Sequence, residues 1–310
     1  MQRILERGEI ESLDHTRIPR FREPVRASVF ADRAARFRQL ATDHPAAGYL
    51  SLMAHLVDGQ HQALQNCSVP SASEQQISLA QSHGMPPLQA IGWNRDPQWR
   101  QILSALLEHM AALADVPEPA KAVIAALQDK MSADPDAIEA QADAILAERD
   151  ADIDSATAPF IMAALQVYWT SLAIDFDIGN LPVVNPFGVC PMCGSLPVSS
   201  VVHVGGQADG CRYLCCSLCS IEWHLVRVTC SHCEATKSIA YHTIEDGPEA
   251  IKAESCDECH SYRKIFYQEK DFHVDPVADD LASLTLDVLM GEEGYSRTSG
   301  NPLLWQGTEP

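Results

Sequence analysis

Eight of the eleven cysteines form four CxxC pairs: Cys190/Cys193, Cys216/Cys219, Cys230/Cys233 and Cys256/Cys259. Paired thiols can exchange disulfides, cross-link a secreted fold or hold a metal. Spacing separates these chemistries. Cys193 to Cys216 and Cys233 to Cys256 are both 23 positions, and each cysteine of the second set lies 40 positions after its counterpart. A duplicated CxxC–x22–CxxC unit is the simplest reading. Redox exchange needs only one pair, and thiols in a reducing compartment do not build a disulfide framework. Two CxxC turns brought together by strands instead make a cage of four sulfurs for one tetrahedral metal, which both zinc and a single iron suit. Duplication favours pairing in sequence order, with an interleaved arrangement as the alternative. Four protein thiolates leave no position for a substrate, so the chemistry expected is structure, sensing or electron transfer.

The elements that must hold these turns follow from local patterns. Gly194, after Cys193, suits a turn that needs positive φ, and Pro191 stiffens its first half. Ser220, Glu234 and His260 take the equivalent place in the other three turns. Upstream, residues 31–66 read as helix with a break at His44-Pro45, carrying an apolar stripe of Leu50, Met53, Ala54, Leu56 and Val57. Residues 68–95 read as a long connection. Asp96-Pro97 and Asp134-Pro135 start further helices, the first followed by Trp99, Ile102, Leu103 and Leu106. Another is expected over 118–132. The most apolar stretch, Ala158–Ile174, is short for a bilayer span and contains Gln166, Thr170 and Ser171, so a buried core helix is expected. After Phe272, Asp275-Pro276 starts one more amphipathic helix, and the chain ends in an extended arm.

The fold class expected is α+β: an α-helical domain over 1–180, four-cysteine modules over 181–228 and 229–272, then a C-terminal helix and arm over 273–310. Net charge is −20, from 42 acidic and 22 basic side chains, and no region is basic. Binding to phosphate backbones depends on Lys and Arg, so a zinc-ribbon binder of nucleic acid is disfavoured. The N-terminal MQRILERGEIESLDH lacks the apolar core of an export signal. No Ser/His/Asp arrangement or nucleotide-binding loop is present in the pattern, so no enzymatic activity is expected.

Four ordered segments, CPMCGSLPV, RYLCCSLCSIEWHLVRVTCSHC, CDECHSYRKIFY and PVADDLASLTLDVLM, together with HPAAGYLSLMAHLVDGQHQAL upstream, closely resemble the formate dehydrogenase accessory protein FdhE family. The resemblance spans most of the chain. It implies a cytoplasmic assembly factor required for active respiratory formate dehydrogenase but absent from the finished enzyme. It also implies two rubredoxin-like modules, with iron favoured and zinc as the alternative, and the catalytic subunit as partner. Quality control, redox handling through rubredoxin-type centres and iron–sulfur-related maturation are all compatible with that role.

Trp223, Arg227 and Tyr262 are the candidate partner contacts, near the junction of the modules with the helices. Packing of Trp223 between modules is the plainer reading. Tyr262, Arg263, Lys264 and Tyr267 read as a strand with solvated charges. His232 and His260 read as exposed or supporting side chains, and Cys67, Cys211 and Cys215 as free thiols. Asp279 and Asp280 suit the first turn of the last helix, and are also candidates for docking against the modules or a partner.

Overall fold

A computed structural model describes residues 18–181 and 187–305; the N-terminal segment considered for export, and the end of the C-terminal arm, lie outside these. Helix α1, Val29–Ala41, ends before the expected break, and α2, Ala47–Asn66, begins after it. The stripe read from the sequence is the buried face of α2. α3, Glu74–Ser82, lies inside the stretch expected to be a long connection. Its local signal is a capping box in which Ser73 and Gln76 satisfy each other's backbone N–H groups, and none of its residues is buried. Apolar periodicity therefore carried nothing there.

α4, Gln98–Ala112, buries Trp99, Ile102, Leu103 and Leu106. α5, Glu118–Ala133, and α6, Pro135–Leu146, follow, and the Asp134 carboxylate caps α6 by accepting from the Ala137 N–H. α7, Ala158–Ile174, is buried on every side from Ala158 to Ala173. It packs against α4, α2 and α6. No described helix is long and apolar enough to cross a membrane.

The strands are β1 (Phe21–Arg22), β2 (Pro197–Val202), β3 (Arg212–Cys216), β4 (Glu222–His224), β5 (Ile239–His242), β6 (Ile251–Cys256), β7 (Ser261–Tyr267) and β8 (Ser296–Arg297). They form one sheet in the order β1-β4-β3-β2-β7-β6-β5, with β8 also on β7. Each cysteine repeat supplies an antiparallel set of three, and the sets join through parallel pairing of β2 with β7, Ser200 opposite Ile265. The sheet is thus continuous across both repeats, and β1 from ahead of the helices adds its edge, Phe21 opposite Trp223.

The last helix is two short ones, α8 (Ala278–Ala282) and α9 (Leu284–Glu292), divided at Ser283. Ser283 turns its hydroxyl back onto the Asp279 carbonyl at 2.6 Å. Arg263 and Lys264 are buried, not solvated as the strand reading had them. The reason is alternation along β7. Arg263 reaches Ser231 at 2.8 Å and the Pro197 carbonyl, while Lys264 turns to the C-terminal helices and donates to the Asp280 and Ser283 carbonyls.

Candidate metal centres

The eight sulfurs gather into two groups, each drawn from a single repeat, and within each group all lie within 4.8 Å of one another. In the first, Cys190 Sγ is 3.5 Å from Cys219 Sγ and Cys193 Sγ is 3.4 Å from Cys216 Sγ. In the second, the matching pairs Cys230/Cys259 and Cys233/Cys256 are both 3.7 Å apart. Backbone N–H groups point at sulfur in both: Leu218 and Cys219 donate to Cys216, and His232 and Cys233 to Cys230.

All four turns share one backbone. The residue after the second cysteine has positive φ in each: Gly194 at 76°, Ser220 at 60°, Glu234 at 63° and His260 at 50°. Only the first is glycine. The other three bear a side chain in a conformation costing on the order of 1 kcal/mol or more, which persists where surrounding structure imposes it. The turn is closed by bonds such as Gly194 N–H to the Cys190 carbonyl and Glu234 N–H to the Cys230 carbonyl.

The donor sets fit a thiophilic metal. Burial pushes the Cys190 and Cys219 thiols well up, with Cys193 and Cys216 adding to it. Burial pushes Cys193 up too, but hydrogen bonds from Cys190, Cys216 and Cys219 outweigh it and hold that thiol well below its usual range. Four thiolates at this spacing need a cation at their centre, and zinc or a single iron satisfies that chemistry.

The surroundings of the two groups differ. The first is walled by the helical domain. Leu88 and Ala90 donate backbone N–H groups to the Met192 and Cys193 carbonyls at 2.9 and 2.8 Å. A side chain at Gly194 would meet the Gln89 amide at 2.8 Å. From α7, the Gln166 amide donates to the Ser217 carbonyl at 2.7 Å, and the Thr170 hydroxyl lies 3.2 Å from that of Ser220. These contacts account for Gln166 and Thr170 in an otherwise apolar helix. They also show what the sequence reading missed: 88–90, inside the supposed connection, buttresses a cysteine turn without any motif to announce it. The second group has an exposed Cys233 and a half-buried Cys259, and His232 and His260 beside it are both exposed.

Of the candidate partner contacts, Trp223 is buried with its indole N–H on the Phe187 carbonyl at 2.9 Å. Tyr262 is buried with its hydroxyl on Asp287 at 2.7 Å. Arg227 is exposed. Trp223 and Tyr262 sit on β4 and β7, separated in the sheet by β3 and β2, so the three are not brought into one patch. Cys215 stands outside the first cage, its buried thiol pushed well up by burial and by nearby Glu222, 3.7 Å away.

Asp279 and Asp280 are fully buried and face opposite ways. Asp279 takes two hydrogen bonds from Arg36 of α1, at 2.6 and 2.9 Å. Asp280 pairs with Arg297 at 2.6 Å and with Lys264 of β7 at 3.6 Å. The acidic pair therefore pins the helical domain to the sheet.

Comparison with known proteins agrees along the chain. Residues 18–185 match the FdhE N-terminal family profile, 189–227 the FdhE central domain and 228–304 the FdhE C-terminal domain. A protein FdhE homolog of Serratia proteamaculans is 40% identical over 287 residues, covering 91% of this chain and 89% of that one. One from Cronobacter sakazakii is 38% identical over 309 residues, covering 98% of both. The crystal structure of the FdhE protein from Pseudomonas aeruginosa superposes with a TM-score of 0.83 at 37% identity, covering 94% of this chain and 100% of that one. With two four-sulfur groups on one sheet, a helical domain ahead of them and relatives this similar over nearly the whole length, the chain belongs to the FdhE family.

Proposed function

We propose that the chain is an accessory factor for the formation of active formate dehydrogenase, acting in the cytoplasm by binding the catalytic subunit and catalysing no reaction of its own. The observation that carries this reading is the pair of four-sulfur groups. With Cys190, Cys193, Cys216 and Cys219 on one metal ion and Cys230, Cys233, Cys256 and Cys259 on another, no coordination position is open to a substrate. Protein binding is the activity such a chain has left, and family membership supports formate dehydrogenase as its object. Iron is the occupant proposed on the family resemblance, with zinc as the alternative; iron in four thiolates supplies one-electron chemistry, and zinc only a cross-link.

The proposed contact is the face around Arg227. It adjoins a cavity of about 470 Å³ lined by Phe187, Val189, Pro191, Trp223, Leu225 and Val226. Phe187 and Val226 are exposed there. An aromatic-walled groove with a cation, Arg20, in its lining has the composition of a binding hot spot. Trp223 forms its wall, and Tyr262 belongs to the packing behind the C-terminal helices. Replacement Arg227→Glu is expected to weaken co-purification of the catalytic subunit and lower formate dehydrogenase activity in cells, with metal content and thermal stability unchanged. Normal binding by the variant would move the contact elsewhere, and failure of the unaltered chain to capture the catalytic subunit would overturn the function.

A second reading, a rubredoxin-type electron carrier acting during maturation, is favoured by one observation, the exposure of Cys233. Reversible one-electron reduction of an iron-loaded chain would support it, and zinc at both sites would exclude it.

A further inference from the structure

The two cysteine groups have the same spacing and the same turn geometry, yet they are set into the molecule differently. Cys190, Cys193 and Cys219 are wholly buried, Cys216 is 4% exposed, and all four belong to the hydrophobic core shared with the helices. Reaching them requires Leu88, Ala90, Gln166 and Thr170 to release the turns they hold. The second group lies outside that core. Cys233 is open to solvent, and the turn residues around it, His232, Glu234, Asp257, Glu258 and His260, are all exposed. The protein around a metal site controls what can approach it. Here that control is applied to one site and withheld from the other.

We propose that the second group is an exchange centre that hands its metal to, or takes it from, donors on another molecule, while the first holds its metal permanently as part of the core. This rests on the reading that both groups bind metal. An incoming thiolate or imidazole reaches the metal on the open side as Cys233 leaves. Each metal–sulfur bond that breaks is replaced by one to the incoming donor, freed thiolates take up protons from water, and the metal keeps its oxidation state. His232 and His260, with Asp257 and Glu258, are exposed beside these cysteines in the chain and offer imidazole and carboxylate donors on that side. Ser261 Oγ, 3.0 Å from Cys259 Sγ, holds a second partly open sulfur in place as the first swings out. The partner this fits is a protein or small molecule presenting thiols or imidazoles, the donors that compete with cysteine for zinc or iron.

The test uses the full chain loaded with two zinc ions and the chelating dye 4-(2-pyridylazo)resorcinol, with pulse alkylation of cysteines and peptide mapping over the same time course. Local opening of a rim and of a core element differ by orders of magnitude. One equivalent is therefore expected to leave on the order of 100-fold faster than the other. Cys233 and Cys259 should be alkylated with that first equivalent, and Cys190, Cys193, Cys216 and Cys219 only with the second. A Cys256→Ser chain should bind one zinc and show the slow phase alone. Should that variant fail to fold, the mapping on the unaltered chain decides by itself. Release of both ions together, or alkylation of the first group ahead of the second, overturns the proposal. A chain that takes up no metal at either site instead overturns the metal reading beneath it.

Discussion

α7 and β7, one from each half of the molecule, are buried along almost their whole length, and they bury different chemistry. α7 is apolar around nearly its whole circumference, with Trp169, Leu165 and Val167 at its centre and Gln166, Thr170 and Ser171 as its polar exceptions. In β7, Arg263 and Lys264 are consecutive and buried to within 4% and 1% of complete. The sheet repeats this elsewhere. Arg212 of β3 is fully buried and crosses β2 and β7 to reach Glu254 of β6 at 2.7 Å, and Tyr241 of β5 donates to the same carboxylate at 2.8 Å. The helical half buries apolar area, which stabilises by roughly 25 cal/mol per Å². The sheet half uses ion pairs that contribute little net stability but are costly to break, so its arrangement depends on every partner being present.

The comparison can be broken most severely at the metal. Replacing Cys190 and Cys193 together with Ser should remove one metal per chain and leave the second group loaded. Metal binding in structural four-ligand sites is worth on the order of 10 kcal/mol of folding free energy. Rapid proteolysis between 187 and 272, with most of the far-ultraviolet helical signal kept, is the expected result. If the helical signal collapses as well, the halves form one cooperative unit and the contrast fails.

Next in size is Asp280→Ala, expected to cost about 3 kcal/mol because it leaves Lys264 and Arg297 facing a buried gap with Asp287 as their remaining counter-charge. Urea unfolding reads it, and adding Lys264→Met should recover part of the loss. Burial alone would raise the Asp280 carboxyl, but Lys264 and Arg297 outweigh it and hold it below the usual carboxylate range. Its stabilisation is therefore complete above about pH 4 and lost as pH falls below that. An Asp280→Asn chain should show a flatter acid limb in the same urea titration.

In the helical half the matching test is Leu165→Ala, expected to cost about 3 kcal/mol by cavity formation, with no dependence on pH between 4 and 8. A pH-dependent loss would show that charge reaches this core too. The smallest effect should come from Ser73→Ala, which removes the cap of a helix that buries none of its residues. Amide exchange over 74–82 should quicken by a factor matching about 1 kcal/mol, while the global unfolding midpoint stays put.

What could be read in advance divides along the same line. The stripe of α2, the Asp-Pro starts and the apolar run of α7 were visible because burial of apolar side chains imprints a period on the chain. The cysteine groups were visible because a metal cage demands fixed spacing. Arg212, Arg263 and Lys264 were not, since a charge bound for a buried pair looks like a solvated one until its partner is known. Asp279-Asp280 gave half of that answer. The helix-start reading held for their position, but their facing opposite halves of the molecule depends on Arg36, Lys264 and Arg297, all distant in sequence. The turn at 88–90 had no signal of any kind, because its bonds to Met192 and Cys193 are made by backbone alone.

The clasp has a consequence for the order in which the chain comes into being. Arg33 and Arg36 lie near the start, and the aspartates they hold, Asp275 and Asp279, lie near the end. Leu303, wholly buried, takes the Tyr49 hydroxyl on its carbonyl at 2.5 Å. A ribosome making this protein from its N-terminus delivers the helices and both cysteine repeats before any of those partners. Until residues 271–303 clear the exit tunnel, Arg33, Arg36 and Lys264 lack the counter-charges that segment carries and the groove that receives Leu303 is empty. Metal can enter a nascent chain whose halves are not yet locked, and synthesis of the last segment shuts it.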